Sequence, residues 1–154
     1  MRGGWKRRAY RDGRPRGVMR ALNRVDALLY RVLPRRMTRG VVLCVTGRRS
    51  GRPRRIPLAL VVHRGERHLV SMLGQRAGWV HDVRAADGRA VLQGRRTEAV
   101  RLEELPVDER APLLRAHLRI APGARAHVPV DPSASLDELA QIADRYPVFR
   151  VVPR

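Results

Sequence analysis

The segment Thr46-Gly47-Arg48-Arg49-Ser50-Gly51-Arg52-Pro53-Arg54-Arg55-Ile56-Pro57-Leu58 constrains this chain most, because it sets a glycine- and arginine-rich turn between two apolar runs. Val41 to Val45 before it and Leu58 to Val62 after it are β-branched and aliphatic, and both have strand length. The pattern predicts a hairpin whose turn lies at a sheet edge. Gly47 and Gly51 allow positive φ and close backbone approach, while guanidinium forks bind phosphate or carboxylate oxygens bidentately. By residue type alone the turn is either an anion grip or a solvated hairpin end.

Charge raises a nucleic-acid reading. The formal net charge is +19, from 33 basic and 14 acidic residues, and residues 1–55 hold 18 of the basic ones against only Asp12 and Asp26. Lys6 is the only lysine, so arginine serves nearly every cationic position. Binders of single strands pair a basic groove with exposed aromatics on which bases stack. Aromatics make up 4% of this chain, and only Trp5 and Tyr10 interleave with the N-terminal arginines. No helix-turn-helix, zinc-finger or RNA-recognition signature appears. A small polyanion uses the same charge better than a polynucleotide does.

Residues 1–16, with Gly3, Gly4, Gly13 and Pro15 among the arginines, show no apolar period and are expected to be flexible. Residues 17–154 are expected to form one domain. Val18, Leu22, Val25, Leu28, Leu29 and Val32 recur at three- and four-residue steps, which predicts an amphipathic helix ended by Pro34. Such a helix covers a barrel, or lies on an anionic membrane surface with Trp5 and Tyr10 near it. No run reaches the roughly 18 apolar residues of a spanning helix, and no apolar region with a cleavage site follows the basic start. The single cysteine, Cys44, lies in an apolar strand; it reads as core, and no intramolecular disulfide is available. The expected setting is the cytoplasm, including the inner face of its membrane.

Further strands are expected at Arg67 to Met72, Arg89 to Gln93, Thr97 to Leu102 and Val148 to Val152, with turns at Ala86-Asp87-Gly88 and Gly94-Arg95-Arg96. Pro106, Asp108 and Glu109 predict a helix start near Leu105 that runs to about Leu118. Residues 121–133 read as loop. Ser135 and Glu138 make a capping box before another short helix. Six strands with three or four helices suit an α+β chain with a small barrel.

Other chemistry is poorly represented. His63, His68, His81, His117 and His127 show no metal-ligand spacing, so no metal is expected. Ser50 lacks a nucleophile elbow, and the turn lacks Walker A spacing.

The order of residues in the turn resembles the signature Thr-Gly-Arg-(Lys or Arg)-Ser-Gly-x-Pro-Arg-x-x-Pro-Leu of the deazaflavin (coenzyme F420)-dependent nitroreductase family. The resemblance continues through Gly65 to Ser71, and through Trp79-Val80-His81-Asp82-Val83-Arg84-Ala85, which is similar to the family's Trp-Tyr-His-Asn-Leu-x-Ala helix. Val80 and Asp82 depart from that pattern, and Asp82 is expected to pair with an arginine. The resemblance implies a six-stranded split β-barrel and hydride transfer from reduced coenzyme F420 to a quinone, nitro compound or activated alkene. It implies that Arg48, Arg49 and Arg54 grip phospholactyl and glutamyl oxygens, with Ser50 and Gly51 shaping the turn. Pro57 and Leu58 would approach the ring, Val70, Ser71 and Met72 would line its other side through backbone groups, and Trp79 would close the pocket. It names no catalytic residue. FMN, the cofactor of many related barrels, would leave the basic groove with less to do. A non-catalytic coenzyme carrier fits the same motif, as either a monomer or a homodimer.

Overall fold

Side chains alternate between two faces along six strands whose sheet closes on itself as a barrel, with one face inside. The computed structural model describes residues 10–11, 14–15, 40–121, 124–125, 127–131 and 133–154. The helix expected between residues 18 and 32 lies outside the described residues. So does most of the segment 1–16, of which a two-residue ladder, Tyr10–Arg11 against Arg14–Pro15, is described.

The barrel strands are β1 (Gly40–Thr46), β2 (Pro53–His63), β3 (Glu66–Val70), β4 (Arg89–Gln93), β5 (Thr97–Glu104) and β6 (Val148–Pro153). Their order around the barrel is β1-β2-β3-β6-β5-β4, closing back on β1, and every pairing is antiparallel. Closure removes sheet edges. The arginine turn therefore sits at one end of the barrel rather than at the expected edge. β2 also begins earlier than expected, because the ladder from Thr46↔Pro53 to Gly40↔Ala59 draws Arg54, Arg55, Ile56 and Pro57 into the strand. Pro57 is tolerated there because β3 pairs with β2 only from Leu60↔Leu69 onward, which leaves one side of Pro57 without a ladder partner.

Inward-facing Leu43, Leu69, Leu92, Val100 and Phe149 fill the barrel, and helix α1 (Gly78–Ala85) closes the end nearest the turn with Trp79, Val80 and Val83. Cys44 corrects an expectation. Leu43 and Val45 point inward, so Cys44 alternates to the outer face, opposite Arg55, and is half-buried rather than core.

A second apolar cluster lies outside the barrel. Val61, Val70 and Val148 meet Leu113, Leu114 and Leu118 of α2 (Ala111–Ile120) and Leu139 of α3 (Leu136–Ala140). The helix expected to start near Leu105 starts at Ala111 instead, after a 3₁₀ turn at Val107–Glu109. Pro112 explains the shift: deep in a longer helix it would lose a hydrogen bond and clash with the preceding turn, whereas in the first turn it costs nothing. The capping box forms as expected: Ser135 Oγ accepts from the Glu138 N–H, and Glu138 Oε2 accepts from the Ser135 N–H. Among the described residues, no helix is long and apolar enough to cross a membrane.

Candidate functional site

The arginine turn folds back on itself before any side chain is considered. The Gly47 N–H donates to the Arg52 carbonyl at 2.9 Å, and the Gly51 N–H to the Gly47 carbonyl at 2.8 Å. Gly51 has φ +66°, a conformation that disfavours any side chain. At Gly47 the constraint is space: a Cβ there would lie 2.8 Å from Ser50 Oγ. Ser50 Oγ in turn accepts from the Arg52 N–H at 3.2 Å, and Arg49, Ser50, Gly51 and Arg52 are all exposed.

One carboxylate ties this turn to the barrel's end. Asp82, on α1, is 1% exposed. Its Oδ1 accepts from the Arg48 N–H at 3.1 Å and from Arg48 Nη1 at 3.1 Å, and its Oδ2 accepts from Arg54 Nη1 at 2.5 Å. Burial opposes its ionisation, yet the Arg48 N–H and the two guanidiniums hold its carboxyl below the usual value. Both arginine side chains stay half-open, 26% exposed for Arg48 and 37% for Arg54. Each guanidinium carries five N–H groups, so donors remain after Asp82 is served. Gly78 makes room for this packing, since a Cβ there would lie 3.2 Å from Arg54 Nη1.

The other expected site residues flank the place where β2 and β3 part. The β2–β3 ladder ends at Leu60↔Leu69, so continuing its register would set Leu58 level with Ser71. Leu58 turns toward the barrel interior and Pro57 to the opposite face. Val70 and Met72 pack against the outer helical cluster. Ser71 is buried and committed, its hydroxyl donating to the Gly74 carbonyl at 2.9 Å and its N–H to the Pro147 carbonyl at 2.9 Å. The Trp79 ring lies in the barrel core against Phe149, with centroids 5.4 Å apart. His81 is half-buried.

Sequence reasoning flagged Asp82 as an arginine partner without naming which ones, and it missed a second network entirely. Glu104 receives Arg84 Nε at 2.9 Å and Arg84 Nη2 at 2.6 Å, and it also receives Arg110 Nη2 at 3.3 Å. Arg110 is 5% exposed, and its guanidinium donates to the carbonyls of Leu105, Ala143 and Tyr146. These partners come from separate elements and carry no local pattern. Two buried histidines also stand out: burial lowers His68, although Glu66 partly opposes this, and it lowers His117 to about 4.

The model of the F420H(2)-dependent quinone reductase family matches residues 16–128. Among solved structures, one described as a domain-swapped dimer covers 87% of this chain and 92% of its own, at 23% identity and TM-score 0.52. A protein of unknown function from Agrobacterium tumefaciens strain C58 covers 75% of this chain and 48% of its own, at 14% identity and TM-score 0.52. An F420-H2 dependent reductase, FDR-A, covers 73% and 93%, at 25% identity and TM-score 0.49. No curated protein sequence matches.

Proposed function

Because the chain belongs to the F420H(2)-dependent quinone reductase family, and is therefore a deazaflavin-dependent oxidoreductase acting on quinones, we propose that its arginine turn is the anion-binding half of the cofactor site. Coenzyme F420 carries a phosphodiester and a glutamate tail, and both want fixed cationic donors. The single observation that carries the reading is the half-open Arg48–Arg54 pair mounted on buried Asp82. The flat deazaflavin ring of the coenzyme belongs farther along, where β2 and β3 part between Pro57–Leu58 and Val70–Met72.

When bound, the reduced coenzyme supplies the hydride. The chain's own share is binding and orientation. Arg48, Arg49 and Arg54 hold phosphate and carboxylate oxygens, and the exposed Ser50 and Gly51 let backbone approach them closely. Val70, Ser71 and Met72 act as a wall: the committed hydroxyl and N–H of Ser71 fix its position rather than donate to a ligand. Trp79 acts from the core, holding α1 and thus Asp82 in place. No side chain is assigned proton transfer: hydride reduction of a quinone also takes up one proton, which solvent would supply to the hydroquinone anion, while the chain holds the acceptor against the ring. Quinones are the acceptor class, with nitro compounds and activated alkenes as further electron-poor substrates to screen. A cytoplasmic setting belongs to the same reading, as fits a reductase of this family.

The test is Arg49→Ala combined with Arg54→Ala. Affinity for coenzyme F420 should fall by about 10- to 100-fold, as losing charge-assisted bonds to an anion predicts. Affinity unchanged within error would sink the assignment.

A further inference from the structure

We infer that Asp82 is a positioning residue of the anion grip, fixing Arg48 and Arg54 before binding so that their outward donors meet phosphate or carboxylate oxygens as a pre-set pair. The inference rests on reading the turn as the cofactor's anion site. Its basis is how the carboxylate is mounted. α1 is anchored in the barrel core by Trp79, Val80 and Val83, so Asp82 sits on a rigid element rather than a loop. Both of its oxygens are engaged, Oδ1 by two Arg48 donors and Oδ2 by Arg54. Arg48 Nη1 also lies 3.5 Å from the Gly78 carbonyl, which adds a second tether from the same helix.

A carboxylate beside a cationic grip could act in the opposite sense, as an internal anion that the ligand must displace. Two features argue against displacement. Asp82 is 1% exposed, so an incoming anion cannot take its place without opening the end of the barrel. One of its bonds comes from the Arg48 backbone N–H, and breaking it would release the turn from its anchor on α1. The stoichiometry also fits: two guanidiniums on one carboxylate keep one unit of positive charge for the ligand. Asp82 lowers the cost of ordering two long side chains, which otherwise falls on binding.

The test uses the full chain and coenzyme F420 followed by its fluorescence. Asp82→Asn keeps the shape and an acceptor for the Arg48 N–H but removes the charge that holds both guanidiniums. Its Kd should rise about tenfold, and with reduced coenzyme and a quinone its KM should rise similarly while kcat stays within twofold. In an Arg54→Ala background, where Arg48 still serves Asp82 Oδ1, the same substitution should raise Kd by threefold or less, because part of what it positions is gone. Thermal melts keep folded fractions matched. A fall in Kd for Asp82→Asn, with steeper salt dependence, would show a displaced counter-anion and overturn the inference. An equal penalty in both backgrounds would show a general structural role and overturn it too. If Arg54→Ala alone leaves Kd unchanged, the anion-site reading fails. If Arg54→Ala weakens binding and Asp82→Asn does not, only the positioning role fails.

Discussion

The barrel's end carries two networks of the same composition, two arginines on one carboxylate, and they are built inside out relative to each other. At the turn the acid is buried and the arginines are half-open: Asp82 is 1% exposed, against 26% for Arg48 and 37% for Arg54. Behind it one arginine, Arg110 at 6%, is the buried member, while Glu104 at 28% and Arg84 at 38% are half-open. Arg110 spends its donors on the carbonyls of Leu105, Ala143 and Tyr146, tying α2 to the segment before β6. Arg48 and Arg54 spend only part of theirs on Asp82 and a carbonyl of the same helix. The comparison teaches that charge count says little about role. Where the spare donors point decides whether a network holds the fold or holds a ligand.

The contrast breaks first, if it breaks at all, at Arg110. Arg110→Ala removes a buried cation and leaves three carbonyls short of a donor, so unfolding free energy should drop by about 3 kcal/mol or more. Coenzyme affinity per folded molecule should not change. Urea denaturation read beside a coenzyme titration checks both, and a parallel loss of affinity would dissolve the distinction between the two networks.

The outer helical cluster offers a second check, on stability alone. His117 is buried among the apolar residues of α2, its Nδ1 has no hydrogen-bond partner among the described residues, and its folded pKa is lowered from 6.5 to about 4. A lowered base binds fewer protons folded than unfolded across that window, so its contribution is intact near neutrality and lost as pH falls from about 6.5 toward 4. The full loss is about 3 kcal/mol. His117→Leu should remove this part of the acid sensitivity, seen as a smaller stability difference between pH 7 and pH 4, without touching coenzyme binding.

The fold was largely legible because it rests on local periodicity. Strand β4 runs from Arg89 to Gln93 as its alternation and flanking turns predict, and Ser135 with Glu138 caps α3 as their spacing predicts. Misreadings came where distant partners overrode local signals. Pro53 to Pro57 look like turn, yet β1 supplies a ladder that recruits them into β2. Cys44 looks like core inside an apolar run, yet closure of the barrel leaves its face on the outside. The site divides in the same way. The glycines and arginines of the turn are adjacent in sequence and stand out at once. Which arginines are braced depends on Asp82, 34 residues from Arg48, and no spacing rule reaches that far.

Two smaller perturbations sharpen the open network. Arg54→Ala combined with Arg49→Ala should cost about 10- to 100-fold in coenzyme affinity per folded molecule, equal to about 1.4 to 2.7 kcal/mol, and should lower the melting temperature as well, because buried Asp82 Oδ2 loses its donor while Arg48 serves only Oδ1. Gly78→Ala adds a Cβ that would lie 3.2 Å from Arg54 Nη1, a contact the flexible guanidinium relieves by shifting. Fold stability should hold, since alanine suits a helix better than glycine. Affinity should fall a few-fold as Arg54 leaves its place. Unchanged affinity would mean that the pair's position is not what binds.

The central claim is that this turn binds the acidic portion of a deazaflavin, and one titration addresses it directly. Purified protein is titrated with coenzyme F420 at physiological salt, following coenzyme fluorescence, with FMN and a single-stranded oligonucleotide as competitors. The account predicts saturable micromolar binding, about −8 kcal/mol, that neither competitor displaces. Absence of saturation, or displacement by the oligonucleotide, would contradict it and assign the basic charge to another partner.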